Sequence, residues 1–222
     1  MIVEIRKVLF GIEENETITF RRIASIVIIS AIAVFVNYAG SKLAEHISFP
    51  LYLDSLLTIG VVALCGLIPG IICAFLSNVV LSITTHSTLL FSICHICTAV
   101  VAWLVFFVED VSAKKEGLGK TLKTPYRYTI DSFLWAGLWS SIINGMIGNA
   151  IADLVFAANP GRPSANVVLQ GIYVAVPDLS FANNFGGYLE NLVDKMISAL
   201  LSLVLYVIVR KINASGAHKR RI

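Results

Sequence analysis

The sequence predicts an all-α polytopic membrane protein of six transmembrane helices with both termini in the cytoplasm. Composition gives the first reason: 57% of the 222 residues are hydrophobic, only 14% are charged, and the mean hydropathy is +0.81. A soluble domain of this size cannot solvate so much apolar surface. Second, the apolar residues fall in runs close to the roughly 20 residues that cross a bilayer as helix. Third, the basic residues are confined to three segments that six crossings would place on one side.

The predicted spans are Ile23 to Ala44, Ser55 to Ile68, Ile71 to Thr84, Thr88 to Val108, Ile130 to Ala158 and Leu192 to Val209. The second and third are short: about 14 residues reach only roughly 21 Å at 1.5 Å per residue. Pro69-Gly70 separates them and reads as a turn. Two crossings suit the charge pattern, and a re-entrant hairpin is the alternative. The fifth span is long enough to tilt or to leave the membrane. Arg6, Lys7, Arg21 and Arg22 precede the first span, Lys114 to Arg127 lie between the fourth and fifth, and Arg210 to Arg221 follow the sixth. Of the 17 basic residues only Lys42, Arg162 and Lys195 fall elsewhere. The excess of three positive charges therefore belongs to cytoplasmic flanks, and no nucleic-acid motif accompanies it.

One membrane domain accounts for residues 1–222. Residues 1–22 read as an amphipathic segment on the inner surface, with Ile2, Val3, Ile5, Val8, Leu9 and Phe10 on its apolar side. Residues 23–209 form the bundle and 210–222 a basic tail. No signal peptide is evident. The longest external piece, Asn159 to Gly187, includes an apolar stretch around Val167 to Val176 that is too short to span and suits a surface segment or a lid. Asn183-Asn184-Phe185-Gly186-Gly187 reads as a turn-rich approach to the last span. There is no internal repeat of the inverted-transporter kind.

Cys65, Cys73, Cys94 and Cys97 all lie within predicted spans, outside any disulfide framework. Cys94-His95-Ile96-Cys97 raises the question of a metal, but small apolar packing by cysteine and a bond from His95 to a neighbouring helix account for it better.

Polar residues within hydrocarbon need partners or a cavity, so they point to a site. Asp54, with Ser55 and Thr58, sits at the mouth of the second span; a role as helix N-cap competes with a role in binding. Gly145, Asn149 and Asp153 form a stripe on the fifth span, beside Asn144 and Gly148. Asn191, Lys195, Ser198 and Ser202 line the sixth, with Asp194 adjacent, and an interfacial Asp194–Lys195 anchor is the competing reading. Asn37 and Tyr38 end the first span and Asn78 lies in the outer half of the third. Asp131 begins the fifth span as a cap. Together these groups predict a pocket open to the outside for a small polar heterocycle, with Tyr38, Tyr52, Trp139 and Tyr173 available to stack on it. The candidate substrate-binding residues are Asp54, Asn149, Lys195, Tyr38, Tyr52, Asn78, Asp153, Asn37, Thr58, Asn144, Asn191 and Ser198. For most of them, helix–helix hydrogen bonding is the alternative role.

The pieces Asn37-Tyr38-Ala39-Gly40, Leu51-Tyr52-Leu53-Asp54-Ser55-Leu56-Leu57-Thr58, Gly66-Leu67-Ile68-Pro69-Gly70, Leu76-Ser77-Asn78 and Asn144-Gly145-x-x-Gly148-Asn149 occur in this order. In order, size and span number the chain resembles the substrate-binding S component of energy-coupling factor (ECF) transporters, the vitamin-uptake systems of bacteria and archaea. The resemblance implies six packed helices in the cell membrane, an outward-facing pocket for a vitamin or precursor, and no cofactor or catalysis. It also implies delivery through a transmembrane coupling subunit and two cytoplasmic ATPases, with the S component toppling in the bilayer. Two departures stand out. Many members carry Ala-x-x-x-Ala in the first helix, a spacing that Ala24, Ala31 and Ala33 lack and only Gly40-x-x-x-Ala44 approximates. Nickel and cobalt members carry His after the initiator Met, where this chain has Ile2, which argues against a metal substrate.

The Leu-Asp-Ser stretch also resembles membrane sensor domains joined to bacterial signalling enzymes, so a sensor or partner-binding module that signals through a separate protein is the alternative. An intramembrane protease is a weaker reading. His95 is the sole histidine within a span, and His-Glu-x-x-His is absent.

Overall fold

The computed structural model describes residues 19–85, 89–115, 128–156 and 165–218. Of the expected amphipathic segment at residues 1–22, residues 1–18 lie outside them, as do Arg162 and the end of the basic tail, while Phe20 to Arg22 are helical. Among the described residues the chain is all-helical, with seven α-helices and no strand. The helices are α1 (Phe20–His46), α2 (Thr58–Cys65), α3 (Leu67–Thr85), α4 (Ser92–Lys115), α5 (Ile130–Phe156), α6 (Ala165–Ala175) and α7 (Leu179–His218). A 3₁₀ turn, Leu89–Phe91, leads into α4.

The N-terminus of α1 is capped by Thr19, whose Oγ1 accepts from the Arg22 amide at 3.3 Å. Over its 27 residues it buries only Ala33, Asn37, Ser41 and Ala44, a narrow stripe of small and polar side chains. Its apolar side chains point outward, Val27 and Phe35 being 60% and 68% exposed. This is inside-out relative to a helix of a water-soluble protein and suits one whose outer face meets lipid. Four helical stretches are long and apolar enough to cross a bilayer: Phe20–His46, Leu67–Thr84, Leu89–Ser112 and Leu179–Ser215. They are what a multi-pass membrane-embedded protein requires.

The second and fifth predicted spans turn out differently. In place of a helix over Ser55 to Ile68, the chain enters irregularly and then forms α2, eight residues long and buried throughout. At 1.5 Å per residue α2 covers roughly 12 Å, too little to cross as a helix. The break before α3 falls at Gly66 rather than at Pro69-Gly70. Gly66 has φ 90° and ψ −176°, a conformation that only glycine adopts readily. Pro69 lies in the first turn of α3, where a missing amide hydrogen costs no helical bond. The fifth predicted span is α5, 27 residues long, but it carries too many polar groups to count as an apolar span. It packs against α4 and α7, with Trp135, Trp139, Met146 and Leu154 exposed on its outer side. Helix α7 begins well before Leu192, so Asn183 to Gly187 are helical rather than a turn. Asp178 caps it, accepting from the Phe181 amide at 3.0 Å. Of the expected surface segment, α6 packs against α7. Asp131 lies exposed in the first turn of α5, where Ser132 takes the capping bond, its Oγ accepting from the Thr129 amide at 3.1 Å.

Irregular backbone inside an apolar bundle must find hydrogen bonds within the protein. The segment from Ile47 to Leu57 finds them in side chains. Asn37 Oδ1 accepts from the Leu57 amide at 2.9 Å, while Asn37 Nδ2 donates to Thr58 Oγ1 (3.2 Å) and Ser77 Oγ (3.0 Å). Ser202 Oγ donates to the Leu56 carbonyl at 2.9 Å. Gly40 lets the segment lie against α1, since a Cβ there would run into the Leu53 carbonyl and the Leu56 side chain. Gly40 and the fully buried Ala44 thus face inward and form no docking surface. At the far end of α2, Arg22 donates to the Leu64 carbonyl at 3.0 Å, a cationic cap on the helix C-terminus. Lys42 approaches the Thr84 carbonyl at 3.5 Å at the other end of α1. An aromatic group, Phe106, Tyr128, Phe133 and Tyr206, joins α4, α5 and α7, with ring centroids 4.4 to 5.9 Å apart.

Asn37→Leu leaves the Leu57 amide without its acceptor. Purified in detergent, the variant is expected to lose about 1–3 kcal/mol of stability for each stranded buried group, read as a lowered unfolding midpoint. An unchanged midpoint would show that the segment is held by packing alone.

Candidate functional site

Asp54 is placed by the residues either side of it. Leu53 has φ 48°, a left-handed conformation costly for a side chain with a Cβ. Its amide is held there by Asp194 Oδ1, accepting at 2.6 Å. The turn brings the Asp54 carboxylate against α4 and α7. Its Oδ2 lies 2.9 Å from His95 Nε2 and its Oδ1 3.7 Å from Lys195 Nζ. The His95 approach is a close contact without the alignment of a hydrogen bond. Lys195 Nζ donates to Asp194 Oδ2 at 2.5 Å and to Ser55 Oγ at 2.7 Å. One helical turn before Asp194, Glu190 accepts from the Tyr52 hydroxyl at 3.3 Å.

Burial separates the members of this cluster. The side chains of Asp194, Lys195 and His95 are 0%, 3% and 2% exposed, whereas Asp54 keeps 15%. Asp194 and Lys195 are therefore an interior pair that fixes the entering segment, not an interfacial anchor. Asp54 is the charged member within reach of a solute. Neither Asp54 nor Ser55 supplies a side-chain cap to α2, whose N-cap is Leu57.

The remaining candidates divide by role. Asn37 and Thr58 belong to the bonds that hold the segment. Ser198 donates to the Asp194 carbonyl and Asn191 to the Gly187 carbonyl, both within α7. Asn144 donates to Thr98 Oγ1 at 2.7 Å, bridging α5 and α4. Asn149 donates to the Asn184 carbonyl at 2.9 Å and packs on Gly187, while Asp153, exposed, faces Asn183 at 3.5 Å. Asn149 and Asp153 thus form a seam against the start of α7, while Asn144 meets α4 one turn from His95. Tyr38 is half-buried on α1, and Asn78 is buried on α3 with its Oδ1 lacking a donor. Trp139 and Tyr173 are exposed at 49% and 43%, so they are not walls of a buried pocket.

Four members of the cluster, His95, Glu190, Asp194 and Ser55, were not among the candidate substrate-binding residues, although Asp194 and Ser55 stood out as neighbours of Lys195 and Asp54. His95 looked like a helix-bridging residue; it meets the entering segment instead of another helix. Glu190 was passed over, although its spacing of four from Asp194 places both carboxylates on one face of α7. Among the described residues no group of three or more His, Cys, Asp and Glu is arranged to hold a metal.

No protein-family model, curated protein or solved structure matches the chain.

Removing one charge from a buried ion pair strands its partner. Lys195→Met is expected to destabilise the protein by about 3–5 kcal/mol. Adding Asp194→Asn should recover a substantial part of the loss, because the stranded carboxylate goes too. Detergent unfolding of the two variants checks both statements; equal destabilisation would mean the pair carries no coupling.

Proposed function

We propose that the protein is the substrate-binding subunit of an ECF-type ATP-driven importer. It captures a vitamin or cofactor precursor from outside and delivers it through a transmembrane coupling subunit and two cytoplasmic ATPases. The observation that carries this reading is the partly accessible Asp54 carboxylate, backed by His95, Lys195, Ser55 and Asp194 inside an apolar helical bundle. A charge cluster in such surroundings is costly, which favours a functional reason for it.

Orientation supports the outward-facing site. The basic flanks put the Arg22 end of α1 in the cytoplasm, by the preference of Lys and Arg for that side. The chain then makes six passes, the second being the irregular segment plus α2, with both termini inside. Asp54, the early part of α4 and the first half of α7 fall in the outer half, near the Lys42–Thr84 end. The apolar outer face of α1 suits a body that reorients in lipid.

The test is a thermal-shift screen of the detergent-purified protein against vitamins and their precursors, with affinity purification of its native partners. A bound solute raises the unfolding midpoint by mass action. Asp54→Ala is expected to abolish that shift while the unliganded protein remains folded. Unchanged affinity in this variant would remove Asp54 from the site. Recovery of a signalling enzyme instead of ATPases, without any solute response, would favour a membrane sensor.

A further inference from the structure

The helices around the cluster leave two buried amide oxygens, on α3 and α5, without a donor. Asn144 and His95 are 1% and 2% exposed. Thr98 lies one turn along α4 from His95 and spends its hydroxyl proton on the Cys94 carbonyl at 3.1 Å. It must therefore accept from Asn144, which fixes that amide with Nδ2 towards Thr98 (2.7 Å) and leaves Oδ1 as an acceptor with no donor. His95 lies with Nε2 2.9 Å from the Asp54 carboxylate, and its two ring nitrogens can donate or accept, so it does not discriminate. Asn78 Oδ1 on α3, 2% exposed, is a second acceptor with no donor. Ser140, one turn before Asn144, also lacks a partner, but a hydroxyl can donate or accept and does not discriminate.

We propose that the ligand is an amino-substituted heterocycle that presents N–H donors to these amide acceptors on α3 and α5 and to the Asp54 carboxylate. Leaving buried acceptors unmet is costly, and a site built around a donor rejects an analogue that lacks it. An aminopyrimidine or a pterin fits this requirement; the corresponding oxo compound turns an acceptor towards an acceptor. The inference rests on the solute-binding reading and names the substrate class of that same site.

Matched amino and oxo rings test it: cytosine with uracil, adenine with hypoxanthine, and pterin with lumazine. Binding is measured by titration calorimetry on the detergent-purified full chain. The expected result is that the tightest ligand is an amino member, held at least about tenfold more tightly than its oxo partner. In the Thr98→Val, Asn144→Leu double variant, which removes both partners and strands neither, that preference is expected to fall to within about threefold. Binding with equal or reversed preference in the wild type overturns the donor requirement while leaving the importer reading standing, and points to buried water on these acceptors. A preference that survives in the double variant overturns the assignment to Asn144. No binding by any member, together with no response to the vitamin panel, overturns the solute-binding reading and this inference with it.

Discussion

The structure depends on one constraint: backbone that leaves helical geometry inside an apolar bundle must be hydrogen-bonded by the protein itself. The chain does so between His46 and Thr58. Asn37 from α1, Ser202 and Asp194 from α7, and the hydroxyls of Thr58 and Ser77 meet that segment from several sides. Each is a polar group in surroundings that would otherwise select Leu or Val, and each is tied to the backbone or to a neighbour that is. The polar content of α1 and α7 is in large part a consequence of this one irregular entry.

The same entry generates the electrostatics. Placing Leu53 in a left-handed turn directs Asp54 inward, and a buried carboxylate calls for a counter-charge. Lys195 supplies one, but it is also bonded to Asp194, which holds the Leu53 amide. Backbone geometry and charge balance are thereby coupled through two adjacent residues of α7. Such coupling preorganises the accessible carboxylate, because moving Asp54 disturbs an ion pair and a main-chain bond together. It also concentrates strain, polarity and accessibility at a single place, as binding sites tend to do.

The outer face shows the complement of this interior. The bulky side chains of α1 project away from the bundle, and small residues such as Ala33 and Ala44 line the contact. In lipid, apolar burial gives helices no reason to associate, so close packing and polar contacts must do so. The aromatic group around Tyr206 provides packing at one end, and the Asp54 cluster provides polar contacts nearer the other.

The apolar runs and the position of Lys and Arg, which are local properties, determine by themselves the helical class and the long apolar helices that mark a membrane protein. They located α1, α3, α4 and α5 closely, because transfer into hydrocarbon is nearly additive along a run. They misplaced the start of α7: Gly and Asn argue for a turn when read locally, whereas packing against α5 and α6 keeps that stretch helical. They also read α2 as a longer helix, since hydropathy does not distinguish helical from irregular backbone when both are apolar and buried. Asp54 and Lys195 stand out in the sequence because ionisable groups in apolar runs are rare. Their pairing does not, because 141 sequence positions separate them and side chains from three elements decide the contact. Tertiary structure alone decided that Asn37 and Thr58 hold backbone in place, that Asn149 seals a helix seam, and that His95 and Glu190 belong with the charges. Hydrogen bonds are short and directional, so which polar groups meet depends on distances that no pattern along the chain encodes.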